Sequence, residues 1–554
     1  MKSKSRIDWN FHINFSPLYF VFAVMVLMAV SFNADAEEIE EVVVVAQQVK
    51  VEKTDPLQDS NLIEAIAPMY TWTAGGYGAF QGYNERGAQT IHTAVYRNGI
   101  PANEPGSAWY NFGADIITGE TVKIITGANG VVYGSGSIAG TVLIKDTINK
   151  GITAGAGNNG YRYLNLAPTT WIQYTELGVN NQARNDNTEK DEYSNKNVKL
   201  NVDVQDFTFT AKLTDFSYEY DNCYTADFSQ SNDCVQEGEK YNVAINNEYL
   251  TLGRTYQQSD YFTADYMSYE NESSTDYMRL GDQTNLSEKL QVSYGVDASQ
   301  EKYNEHKRDN YGAYLNINAE FALNYNFGFR RGNESQDALR FGVEKGPFFF
   351  NVGTSYRRPN LYELFGDSYV DANPNLGPEE AVGYELGFGV LSVFVYDFEE
   401  SIEYMSGFST PDIIAEGEEP TSTWTNAKYY NTGAYSTKGI RYAQMFGNFG
   451  VMLKATDTIQ ARVPKYVAVL SYDQDFGTHN VNASYTGTYD RKPGPYDGAE
   501  LEDLEKLNFG YTKTFNDMVQ LSLNVKNVLD EEVEVLPGYS SQGRELQLTI
   551  NRKW

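Results

Sequence analysis

ETVKIITGANGVVYGSGSIAGTVLI, from Glu120 to Ile144, holds two apolar runs, Val122 to Ile125 and Thr141 to Ile144, each of which predicts a strand. Between them Gly127, Gly130, Gly134, Gly136 and Gly140 recur every few residues. Glycine at that frequency admits positive φ and close backbone approach, so the linker predicts a compact knot of tight turns. A segment with so little side-chain bulk packs well inside another structure. The residues that follow it are expected to supply the container.

Beyond about Gly151 polar and apolar residues alternate. In NVKLNVDVQDFTFTAKL, Val198, Leu200, Val202 and Val204 share one face, and Lys199, Asn201 and Asp203 the other. After Gln205-Asp206 the alternation resumes with Phe207, Phe209, Ala211 and Leu213. This pattern predicts a hairpin with one apolar and one wet face. Leu290 to Val296, Tyr311 to Ala319, Tyr466 to Tyr472 and Leu507 to Tyr511 repeat it. Two architectures bury one face of many antiparallel strands: a soluble sandwich, and a membrane barrel whose apolar face meets lipid. The barrel is preferred because 43 Tyr and 29 Phe suit interfacial girdles, and because Asn180 to Asn197 and Tyr218 to Lys240 read as long acidic loops among short turns. Crossing strands need roughly 9 to 11 residues, so about 22 fit in what remains of the chain. A lumen of that width is not filled by side chains. The expected fold is therefore an all-β transmembrane barrel with an N-terminal mixed α/β plug in its lumen.

Residues 1–36 read as an export signal: Lys2, Lys4 and Arg6, an apolar run from Leu18 to Phe32, then Ala34-Asp35-Ala36 as a small-x-small cleavage site. A membrane anchor fits less well, since the run is shorter than the roughly 18 to 20 residues a spanning helix needs. EEIEEVVVVAQQ, Glu37 to Gln48, places four acids before four valines. It predicts either an extended strand able to pair with another protein's sheet edge or a disordered leader. Residues 37–50 are assigned to this segment and its linker, 51–150 to the plug and 151–554 to the barrel. Within the plug, Leu62 to Met69 predicts one or two helical turns, and Thr93 to Tyr96 a short strand. Gly75 to Gly87 and Asn98 to Gly113 read as loops carrying aromatic residues. Tyr77, Phe80, Asn103 and Trp109 on these loops are candidate ligand contacts, since aromatic and amide groups stack on and hydrogen-bond to a polar planar ligand. Packing within the plug is the alternative role for each.

Composition narrows the function. A net charge of -31 argues against a nucleic-acid partner, because phosphates would be repelled. Cys223 and Cys234, a close pair in an exported chain, predict a disulfide, and as thiolate ligands they lack the second half of any zinc pattern. After the export signal the histidines are His92, His306 and His479, which form no nucleophile-and-base constellation. Gly134 to Ala139 imitates a dinucleotide fingerprint without the βαβ unit it requires. An enzyme is not expected.

Several motifs together resemble the TonB-dependent outer-membrane receptors. EEVVVVA at Glu40 to Ala46 is similar to their energy-coupling box, NERGAQTIHTAVYRNGIP at Asn84 to Pro101 to the plug's Arg-Gly segment, and Val122 to Ile144 to its glycine-rich hallmark. TSYRRPNLYELFG (Thr354 to Gly366), NPNLGPEEAVGYELG (Asn373 to Gly387) and NVKNVLDEEVE (Asn524 to Glu534) resemble barrel motifs of the same family. The first of these, with YYNTGAYSTKGI (Tyr429 to Ile440) and GYSSQGREL (Gly538 to Leu546), is most like the cobalamin receptors. The resemblance implies a monomer in the outer membrane of a Gram-negative bacterium, importing a scarce nutrient at the expense of force from TonB. Glu40, Glu41, Val42, Val43, Val44, Val45 and Ala46 would be the TonB-binding strand. Cobalamin or a related corrinoid is the implied cargo, with ferric siderophores and haem as alternatives on the same scaffold and a passive porin as the alternative of another class. No cofactor is required, although the loop after Tyr218 lies where the cobalamin subgroup carries calcium-binding aspartates, which makes Asp221, Asp227 and Asp233 candidate ligands. The chain departs from the family at Asn98, Lys123, Thr126 and Ala128, so the family's plug-to-barrel ion pairs are expected to be absent or rewired.

Overall fold

Alternation from Gly151 onward closes, in the computed structural model, into a barrel of 22 antiparallel strands, the expected number. The structure describes residues 48–554 apart from 52–69, 74–75, 116–119, 182–189, 222, 226–228, 264–265, 334–336, 406–426, 495–500, 517, 533, 538 and 541. The export signal, Glu40 to Ala46 and the helical turns expected at Leu62 to Met69 therefore lie outside the described residues.

Closure joins the barrel's first strand, Gly151–Gly157, to its last, Glu545–Lys553, with Ala154 opposite Ile550. Leu546, Leu548 and Ile550 point outward while Gln547 and Thr549 are buried toward the lumen. The same division runs through the hairpin of Asp191–Val204 and Phe207–Tyr220. Val202, Val204 and Leu213 are exposed on the lipid side, and Asn195, Asn197, Lys199 and Lys212 are buried inside. Polar residues thus form the inner face, as a wide barrel in lipid requires. At one end the strands are joined by turns of two to four residues, such as Gln205-Asp206, whose Gln205 takes a φ of 54°. The opposite end carries the long connections, and by the rule for outer-membrane barrels it faces outward.

Five of the plug's strands form a mixed sheet in the order Gln48–Val51, Glu120–Thr126, Gly140–Asp146, Thr93–Arg97, Ile100–Pro101, and Tyr70–Thr73 pairs separately with Gln81–Asn84. The two apolar runs of the opening stretch are direct antiparallel partners, with Val122 opposite Ile144 and Ile125 opposite Thr141. Their glycine-rich link folds as turns around a single helical turn, Gly130–Tyr133. Gly134 ends that turn at a φ of 69° against the Arg330 guanidinium, where a side chain would be both strained and crowded. One face of the sheet, Val95, Val122, Ile124, Val142 and Ile144, packs on Tyr83, Tyr110 and Phe112 in a core built wholly of plug residues. Phe112 meets Tyr83 and Tyr110 edge to face at 5.1 and 4.8 Å between ring centres. That geometry favours aromatic pairs.

Candidate functional site

Tyrosines at the outer ends of the strands, with the aromatic loops of the plug, enclose a cavity of about 1480 Å³. Tyr218 and Tyr220, two residues apart on one strand, face the same side. They are joined at the wall by Tyr261, Tyr269, Tyr303, Tyr362, Tyr369, Tyr404 and Tyr429, while Phe80 and Trp109 rise from the plug. Tyr261 and Tyr269 stack at 4.2 Å, and Phe80 and Trp109 lie 4.6 Å apart. Gln89, Asn111, Gln236, Gln257, Asn271 and Gln460 add amides, and Glu104, Glu270, Glu363, Asp367 and Glu403 add carboxylates. Among the described residues lining this space there is no lysine or arginine. The plug loop of Asn98 to Gly113 is its floor, and Gly106 sits there so close beneath Tyr303 that an added Cβ would collide with the ring. Burial pushes the Glu104 carboxyl above its ordinary range, against the opposing pull of the Ser107 hydroxyl and Lys240.

Of the residues singled out from sequence, Phe80 and Trp109 line this cavity and Tyr77 and Asn103 do not. The Tyr77 hydroxyl donates to Glu545 at 2.6 Å, tying plug to barrel. Asn103 is spent on the plug's own backbone: its Oδ1 accepts from Val95 at 2.6 Å and its Nδ2 donates to Thr93 and Ala108. Cys223 and Cys234 form a disulfide, and Cys223 borders the cavity. Asp221 is buried in that loop, Asp233 is exposed, and Asp227 lies outside the described residues. The wall tyrosines were not singled out from sequence. The only signal for them is tyrosine recurring at strand ends next to long loops, and it does not separate cavity from interfacial girdle.

Below the cavity the plug is fastened to the wall by buried charge. Lys199 and Lys212 are direct cross-strand partners, an arrangement that is repulsive by itself. The plug supplies the answer: Glu120 meets Lys199 at 2.7 Å and Lys212 at 3.4 Å, and Asp115 pairs with Lys212. Arg97 closes the cluster with Asp115 at 2.6 Å, Glu120 at 3.1 Å and Asp146 at 2.5 Å. Three carboxylates therefore balance three cations. Burial by itself would raise the Asp115 and Asp146 carboxyls, but Arg97, assisted by the wall lysines, holds both below the ordinary range.

A second cluster takes in Thr126, one of the four positions named above. Arg86 meets Glu385 of the wall at 2.7 Å and lies 4.9 Å from the centre of the Phe394 ring. It also donates at 3.2 Å to Thr126. Its neighbour Glu85 faces Lys454 of the wall at 3.7 Å, so one of the two contacts runs from a plug acid to a wall base. Ion pairs between plug and barrel are therefore present. Asn98 likewise has work: its Nδ2 donates to Asp146 at 2.6 Å and its Oδ1 accepts the Asp146 amide at 2.8 Å.

Comparison with known proteins agrees with this geometry. Residues 138–528 match the family described as TonB dependent receptor-like, beta-barrel, and residues 36–141 match the TonB-dependent Receptor Plug Domain. The vitamin B12 transporter BtuB of Vibrio cholerae is 22% identical, with 90% of each chain covered. The ferric enterobactin receptor PfeA of Pseudomonas aeruginosa superposes with a TM-score of 0.66 at 13% identity, covering 92% of this chain and all of that one. The siderophore receptor PirA of Acinetobacter baumannii gives 0.64 at 13% identity, covering 92% and 98%. The barrel match alone spans well over half of the sequence, and the chain belongs to the TonB-dependent receptors, plugged β-barrels of the Gram-negative outer membrane and a family of receptors and transporters, not of enzymes.

Proposed function

We propose that this receptor actively imports a corrinoid, with cobalamin the leading cargo. The observation that carries the reading is the outer cavity: about 1480 Å³, lined by nine tyrosines and a set of amides, with no lysine or arginine among its described lining. That space exceeds the roughly 300 to 1,000 Å³ of a pocket for a drug-sized ligand. A corrinoid is large, planar at its core and fringed with neutral amides, which match aromatic faces and amide hydrogen bonds. A ferric catecholate carries several negative charges, and here it would meet Glu270, Asp367 and Glu403 with no lysine or arginine among the described lining to receive it. The 22% identity to a vitamin B12 transporter supports the same choice.

Energy would enter through Glu40 to Ala46. The strand that follows it, Gln48–Val51, is the edge of the plug sheet and pairs antiparallel with Val122 to Ile125. A pull on the coupling segment therefore reaches the glycine-rich hallmark through a four-residue ladder. The deciding experiment is equilibrium binding of the purified receptor to cyanocobalamin, haem, a ferric catecholate and a neutral ferric hydroxamate. Tightest binding of cyanocobalamin is expected, and preference for the catecholate refutes the reading. Adding calcium in the same assay tests Asp221, Asp227 and Asp233 as its ligands.

A further inference from the structure

The end of the strand Phe348–Arg357 and the connection after it are bonded to two separate parts of the plug while also forming one side of the cavity. The Tyr356 carbonyl accepts from the Gly136 amide at 3.0 Å, the Arg358 amide donates to the Ser135 hydroxyl at 3.0 Å, and the Leu361 amide donates to the Pro105 carbonyl at 2.9 Å. The short helix Leu361–Phe365 follows, closed by a capping box in which Asn360 and Glu363 bond each other's backbone amides at 2.7 Å. Asn360, Tyr362 and Glu363 face the cavity.

From Glu363 a chain of buried groups leads down into the plug. Arg357 donates to both Glu363 oxygens at 2.9 and 3.1 Å and also to Glu379. Glu379 accepts from the Ile402 amide at 2.7 Å and lies 2.9 Å from His92 Nε2. The Gln89 amide donates to His92 Nδ1 at 3.2 Å, so the ring's proton is on Nε2 and is given to Glu379. The His92 carbonyl accepts from the amides of Ile138 and Ala139, in the glycine-rich hallmark, at 3.1 and 3.0 Å. Arg357, Glu363, Glu379 and His92 are each at most 4% exposed. One buried guanidinium serves two carboxylates here, and a shift of either changes the partner available to the other.

We propose that the helix Leu361–Phe365 reports cavity occupancy to the plug, with His92 as the positioning residue that passes movement of Glu363, through Arg357 and Glu379, to the hallmark at Ile138 and Ala139. The proposal rests on the reading that the outer cavity holds the imported ligand. A contiguous network is a physical route for coupling, and a double-mutant cycle measures whether it is used.

The test is a hydrogen-exchange cycle on the full-length receptor with no ligand present. Glu363→Gln is expected to speed exchange of the Ile138 and Ala139 amides by about fivefold or more, the lower end of usual coupling between sites. In a His92→Leu background the same substitution should add less than about twofold, and His92→Gln, which keeps a side-chain N–H for Glu379, should restore the effect. Additive effects overturn the relay, because independent structural damage adds. If His92→Leu fails to assemble, as judged by heat-modifiable migration of the barrel, Glu379→Gln replaces it in the cycle and is judged by the same criterion. A second arm places a unique thiol at Ala46→Cys and compares its maleimide labelling with and without cyanocobalamin. The ligand should alter labelling in the wild-type background and not in His92→Leu, at unchanged ligand affinity. Failure of cyanocobalamin to bind the wild type refutes the corrinoid reading alone, since the ligand-free cycle still decides the relay.

Discussion

Replacing Arg97 with methionine removes one cation from a cluster of three carboxylates and three bases and leaves Asp146 as the most exposed casualty. Lys199 and Lys212 would still meet Glu120, and Lys212 would still meet Asp115, whereas Asp146 would keep the Asn98 amide and lose the guanidinium at 2.5 Å. Breaking a buried pair on one side costs about 3 to 5 kcal/mol. A stranded carboxyl can escape by taking a proton, and for an ordinary value near 3.9 that escape costs about 4 kcal/mol at pH 7. The deficit should thus lie at about 3 to 4 kcal/mol, roughly a 100- to 1,000-fold rise in opening of the plug sheet. At pH 5 the same ceiling falls to about 1.5 kcal/mol, or about tenfold. The sign follows from the direction of the shifts. Asp115 and Asp146 titrate below their ordinary range, so their pairing stabilises the wild type fully above that range and is lost as pH falls through the folded-state values. Wild type and variant should therefore converge on acidification. The assay is hydrogen exchange at Glu120–Thr126 and Gly140–Asp146, corrected for intrinsic rates. A change under threefold at pH 7, or a deficit that grows toward acid, refutes the account of the cluster.

Proline at Val43 or Val44 should abolish uptake and leave ligand binding intact, because it removes a strand donor from the coupling segment; wild-type uptake would refute the coupling role. Mass spectrometry of the unreduced protein should find Cys223 and Cys234 linked, and because Cys223 borders the cavity, reduction should weaken ligand binding measured at equilibrium. Gly106→Val should cost at least about tenfold in affinity by driving a side chain against Tyr303 on the cavity floor, with barrel assembly unchanged by heat-modifiable migration.

The barrel and the plug sheet were legible because each rests on a local pattern. Period-2 alternation placed Lys199 inside and Val202 outside without reference to any partner, and the paired apolar runs around the glycine linker identified two strands that prove to be neighbours. The site was less legible because it is assembled from distant positions. Phe80 and Trp109 share a cavity wall with Tyr404 and Tyr429, and no local pattern connects them. Asn103 carried the right chemistry for a ligand contact, but a side chain with both a donor and an acceptor in a turn-rich loop serves backbone equally well, and it does so here. Lys199 and Lys212 showed their register in the hairpin, yet the need for Asp115 and Glu120 opposite them appears only when the sheet is closed around the plug.

The distribution of charge bears on how such a plug can be both sealed and released. Its internal core, from Tyr83 to Ile144, is apolar and made of plug residues alone, so moving the plug as a body exposes none of it. Where the plug meets the wall, small residues such as Ala88 and Ala139 sit against Phe394, Phe398 and Tyr435, and each buries little area. Buried ion pairs across that boundary are made by Lys199, Lys212, Glu385 and Lys454 of the wall. Ion pairs suit that boundary in a barrel whose inner face is polar, because water entering the gap can solvate both halves and repay most of what the pair contributed. An apolar seal of equal strength would not be repaid in that way. Wall lysines paired across the strand add a bias: with the plug in place their repulsion is neutralised by Asp115 and Glu120, and with it displaced the repulsion returns, which favours re-entry once the pull has ceased.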